Sequence, residues 1–354
     1  MIKKVEFFTA NLHFKEPFTI AYETVSCAKV IIIKITGPNG FLGLGSAAPD
    51  EEVTGETIKK CLILLDKKLN KDFFSIPLNL WYLYHKKIQQ EFAGFPCLQS
   101  AIEEALLNLF VSAKGLELGS LFGGYRTACP ICFTLGIESI EQTLIQAQQA
   151  VDRGFKILKL KCGLDLETDL AKVVVLEKSL PKAVKLAVDV NQGYSFAQAE
   201  KFIVKIKNLG IIFLEQPIAA QSLEQLKVLS KKSPIPIIAD EAVVDIKDAV
   251  KIITKDYANG VNIKLMKCGG PFNFLRIFHL AKIFNKIVMI GCMYESNISI
   301  TTGAALALAL PIDYVDLDSG RLDFDDDPSQ GGAEVANGLI TIGAKKLSLL
   351  SKKK

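Results

Sequence analysis

Several features are missing from this chain, and each absence excludes something. No apolar run reaches the roughly 18–20 residues of a membrane span. The longest, ISITTGAALALALPI from Ile298, carries threonines and a glycine and reads as a buried helix. The start, MIKKVEFF, has no signal-peptide core, so the cytoplasm is the expected compartment. Net charge is only +4 and the lysines are scattered, with Lys352–Lys354 a solvated end, which argues against a nucleic-acid surface. Histidine is confined to His13, His85 and His279. The eight cysteines are dispersed in a large chain. Cys129 and Cys132 form a C-x-x-C, but no second pair follows at zinc-finger spacing and no helix starts there. They are expected to be small buried hydrophobes rather than redox or zinc ligands. The glycines of GFLGLG, Gly40 to Gly45, open no helix and so form no dinucleotide loop.

What is present is a beat. Asp189, Glu215, Asp240 and Lys264 are separated by 26, 25 and 24 residues. Each closes a short apolar run: LAVDV, IIFLEQP, PIIADE and VNIKL. A period near 25 with one strand-like run per unit predicts successive strand–helix repeats. FKILKLK (Phe155 to Lys161) and ICFTLG (Ile131 to Gly136) extend it backward; IVMIGC (Ile287 to Cys292) and YVDLD (Tyr314 to Asp318) extend it forward. Eight units predict an α/β fold, a (β/α)8 TIM-type barrel over residues 126–319. The segments LIQAQQAVDRG, DLAKVVVLEKSL and AQAEKFIVKIKNLG have helical spacing, with Gly154 and Gly210 at expected C-caps. Residues 1–125 do not follow the beat. Two long β-type runs around the turn signal Pro38 to Gly40, then helices near 56–69, 80–91 and 98–113, predict an α+β capping domain. The segment 320–354 is expected to complete it.

If the strands are parallel neighbours, their charged ends meet at the C-terminal face of the barrel, where such folds carry their sites. Three carboxylates without sulfur or imidazole suit Mg²⁺, with Mn²⁺ as the alternative. Lys159 and Lys161, two apart on one strand, face the same way, and Lys264 lies across the barrel. Beside a divalent cation and a second lysine, an ammonium is expected to have a lowered pKa and to serve as a base near neutral pH.

These residues resemble a family. The K-L-K of Lys159 to Lys161, D-V-N-Q-G from Asp189, E-Q-P from Glu215, A-D-E ending at Glu241 and N-I-K-L-M-K-C-G-G from Asn262 are similar to the enolase superfamily, in its muconate-lactonising branch, specifically the dipeptide epimerases. The resemblance implies Mg²⁺ on Asp189, Glu215 and Asp240, an acid/base pair of Lys161 and Lys264, and Lys159 neutralising the substrate carboxylate. It covers the whole chain. The absence of a histidine near the seventh strand sets the chain apart from the mandelate-racemase arrangement. Asp316 and Asp318 match the D-x-D that holds a dipeptide's α-ammonium, with Thr134 joining the substrate-binding set; a rim salt bridge to Arg321 is the alternative. An extended dipeptide, roughly 7 Å long, would reach from metal to ammonium site.

One segment departs from the alanyl-glutamate pattern. In PFTIAYET, Pro17 to Thr24, Glu23 stands where an arginine is found in that group. A carboxylate there disfavours an acidic side chain, so Ala-Xaa dipeptides with Xaa small and uncharged, or cationic, are expected over glutamate. Alternatively Glu23 pairs with Lys15 and leaves specificity to Tyr22, Tyr294 and Ser296. Competing readings are an L-Ala-D/L-Glu epimerase of peptidoglycan-peptide recycling, an N-acylamino-acid racemase, an o-succinylbenzoate synthase, a muconate cycloisomerase, or a non-catalytic metal-dependent peptide binder. The expected partner is a small dipeptide, with no nucleic acid and no membrane; homo-oligomer formation stays open.

Overall fold

A computed structural model describes residues 2–19 and 24–350. The chain opens on a three-stranded antiparallel sheet, Lys4–Thr19, Thr24–Thr36 and Leu42–Ala47, in sequence order. Pro38–Gly40 turns the second strand into the third, with Asn39 and Gly40 at positive φ (56° and 79°), the conformation a tight hairpin demands. Three helices follow: Ile58–Lys68, Trp81–Glu91 and Pro96–Lys114. Thr57 caps the first by accepting from the Lys60 N–H. The third has proline in its first turn and ends at Gly115 in the left-handed region (φ 66°).

That third helix lies on the sheet, and two glycines fix how closely. A Cβ on Gly43 would come within 2.0 Å of the Ala105 carbonyl oxygen, and one on Gly45 within 1.8 Å of the Ala101 oxygen. The GFLGLG segment therefore exists for helix–sheet contact. Ile31, Ile32, Ile33 and Ile35 on the middle strand are fully buried, as are Ala101, Ile102 and Ala105 on the helix.

The second domain is an eight-stranded parallel sheet in strict sequence order: Cys132–Leu135, Ile157–Lys161, Lys185–Asp189, Leu214–Glu215, Ile237–Ala239, Gly260–Lys264, Ile287–Gly291 and Tyr314–Asp316. The eighth strand returns beside the first, where the Thr134 N–H donates to Asp318 Oδ2 at 2.9 Å. The (β/α)8 barrel is thus as the periodicity predicts. Helices Ile140–Asp152, Leu166–Ser179, Phe196–Ile206, Leu223–Lys232, Ile246–Thr254, Pro271–Ile283 and Asn297–Ala309 fill the connections. Gly154 and Gly210 follow their helices at φ 87° and 67°. Ala187, Ile238 and Met289 from the odd-numbered strands, with Phe213, form a separate, fully buried cluster, the layered filling of a barrel interior.

Asn297–Ala309 is buried along its whole length rather than on one stripe. The C-terminal segment explains this. Thr301 Oγ1 accepts from the Ala333 N–H at 2.9 Å, and Leu339–Ile342 pairs antiparallel with Cys129–Pro130 at the threshold of the barrel. The same segment reaches the capping domain, where the His13 N–H donates to Asp326 Oδ1 at 2.8 Å and Phe14 bridges Phe324. It packs on both domains rather than on the first alone. Cys129 and Cys132 are buried, and all eight cysteines are free. Among the described residues no helix is long and apolar enough to cross a membrane.

Gly45→Ala is expected to destabilise the protein by about 1–3 kcal/mol or more, since the added methyl meets backbone that cannot rotate away. A urea unfolding midpoint equal to that of the unsubstituted protein would contradict the close-contact role.

Candidate active site

Parallel register brings the charges together. Lys161 pairs with Asp189, and Asp189 with Glu215; Asp240 lies one residue past its strand, and Lys264 pairs with Gly291, itself opposite Asp316. Alternation along Ile157–Lys161 sends Lys159 and Lys161 to one face. Asp189 and Glu215 are completely buried, and Asp240 nearly so.

The lysines cross-link these carboxylates. Lys159 Nζ lies 3.0 Å from Asp189 Oδ2, 2.8 Å from Glu215 Oε2 and 2.7 Å from Asp316 Oδ2. Lys161 Nζ donates to Asp189 Oδ2 at 2.7 Å and to Asn191 Oδ1 at 2.9 Å. On the far side Lys264 Nζ is 2.9 Å from Asp240 Oδ2. Lys267 donates to Asp240 Oδ1 at 2.5 Å and to its carbonyl at 2.6 Å. Lys267 was not singled out from sequence. Its signal is the spacing: it follows Lys264 by three, within the single turn Leu265–Cys268 that ends at Gly269 (φ 81°).

Amide side chains complete the frame. Gln216 (φ 30°) accepts through Oε1 from the Asp240 and Ala242 N–H groups at 3.0 and 3.1 Å. Asn262 donates to Glu215 Oε1 at 2.7 Å, and Asn191 (φ 45°) to Glu241 Oε1 at 3.1 Å. The D-V-N-Q-G and E-Q-P motifs thus supply two of the carboxylates and two of the amides of this frame, while the amide on Glu215 comes from Asn262. Left-handed backbone at Asn191 and Gln216 is the kind of local cost that persists at functional sites.

Ionisation follows from this crowding. Burial, and then the charge of Asp189, push Glu215 up to about 8. Burial would also raise Asp189, but Lys159 and Lys161 outweigh it and hold it at about 2. Asp240 is likewise lowered, Lys264 and Lys267 overcoming burial. Burial and Asp240 push Glu241 up to about 7.

The expected fall in lysine pKa is not what this protein on its own produces. Burial pulls Lys264 down, yet Asp240 and Glu215 overcome it and the net shift is upward; Lys159 behaves the same way. The expectation counted a divalent cation beside the lysines, whereas the carboxylates alone have the opposite effect. Lys267, by contrast, is lowered, by burial ahead of the opposing pull of Asp240.

The donor set fits a hard divalent cation. Asp189, Glu215 and Asp240 offer only oxygen, and Glu241 Oε2, next to Asp240, is buried without a hydrogen-bond partner. Glu215, held up at about 8 by burial and then by Asp189, is a carboxyl whose charged form an added cation would favour.

Around this floor the pocket is walled by Phe18, Asp50 and Val53 of the capping domain, by Phe133 and Thr134, by Met293 and Tyr294, and by Asp316, Asp318 and Asp323. Thr134 Oγ1 lies 3.5 Å from Asp316 Oδ1. Burial, and then Asp316, push Asp318 up to about 6. The alternative rim bridge to Arg321 does not form, because its Nη2 donates to the Gly331 and Ala333 carbonyls at 2.7 Å. Tyr294 lines the pocket, its ring 5.2 Å from that of Phe14. Ser296 does not: it is fully buried and caps Asn297–Ala309 by accepting from the Ile298 N–H, so it is a helix cap rather than a specificity residue. Tyr22 and Glu23 lie outside the described residues.

The chain is similar to known proteins over nearly its whole length. Residues 142–346 match the enolase C-terminal domain-like family, and residues 3–123 match the mandelate racemase / muconate lactonizing enzyme N-terminal domain. The L-Lys-D/L-Arg epimerase of Desulforapulum autotrophicum is 33% identical over 95% of each chain. The L-Ala-D/L-Glu epimerase of Clostridium acetobutylicum is 31% identical over 97% of this chain and 96% of its own. The crystal structure of the dipeptide epimerase from Enterococcus faecalis, complexed with Mg and L-Leu-L-Tyr, superimposes with a TM-score of 0.93 at 31% identity, covering 98% of this chain and 99% of that one. The chain belongs to the enolase superfamily, in its muconate-lactonising branch, and is an isomerase of the epimerase type.

Lys159→Ala is expected to lower the stability of the metal-free protein by about 3–5 kcal/mol, because three buried carboxylates lose a shared partner. The check is a thermal melt in EDTA; an unaltered midpoint would mean the carboxylates do not need this ammonium.

Proposed function

We propose that this enolase-superfamily member is a Mg²⁺-dependent dipeptide epimerase that inverts the α-carbon of the substrate's C-terminal residue by two-base proton transfer. The observation that carries the reading is the placement of Lys161 and Lys264. They end the second and sixth of eight strands, opposite one another across the ring, with the carboxylate cluster between them. A peptide binder has no need of opposed bases.

Removing an α-proton concentrates negative charge on the adjacent carboxylate. Held by Asp189, Glu215 and Asp240, with Mn²⁺ as a substitute, the cation supplies Lewis-acid stabilisation of that charge. Lys159 adds a fixed ammonium alongside it. One of Lys161 and Lys264, in its neutral form, takes the proton from one face. The other, protonated, returns one to the opposite face, and the centre inverts. Asp189 and Asn191 orient Lys161, and Asp240 orients Lys264. Asp316 at the end of the eighth strand and Asp318 just beyond it receive the dipeptide's α-ammonium, a group that acyl-amino-acid and cycloisomerase substrates lack.

For the side chain, a count of charges supports Ala-Xaa dipeptides with Xaa uncharged or cationic. Every lysine of the pocket is already committed to a carboxylate, and no arginine lines it among the described residues. Asp50 adds a further carboxylate to the wall. An acidic Xaa would find no spare cation. Relatives of nearly equal identity carry the names L-Lys-D/L-Arg epimerase and L-Ala-D/L-Glu epimerase, so identity alone does not choose. Eight free cysteines suit the reducing cytoplasm.

The test is incubation with Mg²⁺ and an Ala-Xaa library in D₂O, read by mass spectrometry. A one-dalton gain in the C-terminal residue of Ala-Ala, Ala-Ser or Ala-Lys, lost in EDTA and exceeding that of Ala-Glu, is expected. Faster labelling of Ala-Glu would overturn the specificity, and label in no dipeptide would overturn the epimerase reading.

A further inference from the structure

Glu295 takes no part in the mechanism above, yet it is a carboxylate buried to 3% exposure just behind the pocket wall. Burying such a group is costly unless it is hydrogen-bonded, and the bonds of this residue divide between its side chain and its backbone. Its Oε1 accepts from the Met293 N–H at 2.9 Å. Its own N–H donates to Ser319 Oγ at 3.0 Å, and its carbonyl accepts from Ser319 Oγ at 3.1 Å and from the Gly320 N–H at 2.9 Å. Met293 and Tyr294 belong to the loop after the seventh barrel strand, and Asp318 and Ser319 to the loop after the eighth; all four line the pocket.

We propose that Glu295 is a positioning residue: through Met293 and Ser319 it fastens these two loops to each other, and so sets the distance between the Tyr294 wall and the Asp316–Asp318 ammonium site. Its side chain closes a tight turn on the first loop, while its backbone grips the second. The turn-closing bond to Met293 is not available to an aliphatic residue of the same size, whereas the grip on the second loop is made by backbone atoms and Ser319 Oγ.

The groups facing it agree with a load held between the domains. Lys264 on the sixth strand favours its charged form, opposing the burial that pushes it up to about 7. Glu104, on the capping-domain helix Pro96–Lys114, is pushed up to about 8 by burial and then by the charge of Glu295. Glu104 accepts from the Ser46 N–H at 3.2 Å, Ser100 Oγ at 3.0 Å and Ser299 Oγ at 3.1 Å. Ser299 also donates to the Ser46 carbonyl at 2.8 Å. The clamp therefore sits at the seam of the two domains rather than on a free loop.

The kinetic readout rests on the epimerase reading, so the wild type is assayed first with the D₂O library. With a dipeptide that it labels, Glu295→Ala is expected to raise KM tenfold or more while kcat falls less than threefold. Glu295→Gln, whose amide oxygen can still accept from Met293, is expected to stay within threefold of wild-type KM. Wild-type KM in Glu295→Ala, or no rescue by glutamine, would overturn the proposal. Should Glu295→Ala fail to fold, Ser319→Ala removes one side of the clamp alone and is expected to raise KM at least threefold; an unchanged KM would overturn it equally. If the wild type labels no dipeptide, the epimerase reading has failed but the clamp is still tested by amide hydrogen exchange. Met293 exchange is expected to be at least tenfold faster in Glu295→Ala than in Glu295→Gln, and equal rates would contradict the clamp.

Discussion

The structure is organised around a repulsion. Parallel register puts Asp189, Glu215 and Asp240 at the same end of neighbouring strands, all out of water. Two like charges 4 Å apart repel by about 4 kcal/mol at an effective dielectric near 20. Such a cluster exists in a folded protein only if cations are built in beside it. Lys159 touches three carboxylates at once, and Asp240 needs both Lys264 and Lys267. The lysines are thus part of what makes the barrel mouth stable, before any chemistry is asked of them. Glu215 is still held up at about 8, by burial and then by Asp189, and a divalent cation beside it would favour its charged form.

The same constraint explains the irregular backbone. Asn191 and Gln216 leave the strands in left-handed conformations and turn their amides onto the Lys161 ammonium, the Glu241 carboxylate and the Asp240 N–H. A rigid lattice of charge and amide is what a proton-transfer site requires, because the bases must be in place before the substrate arrives. The opposite wall is built differently, from capping-domain residues such as Phe18, Asp50 and Val53 and from the loops after the last two strands. Chemistry resides on strand ends and recognition on loops, which is why relatives sharing the barrel carry names with different side-chain preferences.

Much of this was legible in the sequence because the signals were periodic. The beat of charged residues pointed to the barrel, its strand order and the face where the charged strand ends meet, since each charge closes an apolar run of the right length. Strand lengths were not legible: IIFLEQP looks like seven strand residues, yet only Leu214–Glu215 pair as one, because the turn at Gln216 interrupts the ladder. Lys267 was hidden in a single helical turn too short to show periodicity. Ser296 misled because a helix cap and a pocket serine look alike in one dimension. The lysine ionisation expected from sequence assumed a cation beside the lysines; without one, the number of carboxylates that Lys159 and Lys264 touch decides the direction, and sequence does not show that number. Asn297–Ala309 has no amphipathic pattern, as the C-terminal segment covers the side that would otherwise face water.

The central claim is that Lys161 and Lys264 act from opposite faces of one carbon. It is tested most directly by stereochemically resolved α-proton exchange in D₂O, with Lys161→Ala and Lys264→Ala each given the two epimers of one substrate separately. Each variant is expected to lose epimerisation and to retain exchange with one epimer only, the two variants with opposite preference. Full epimerisation in either variant, or the same preference in both, would contradict the two-base account.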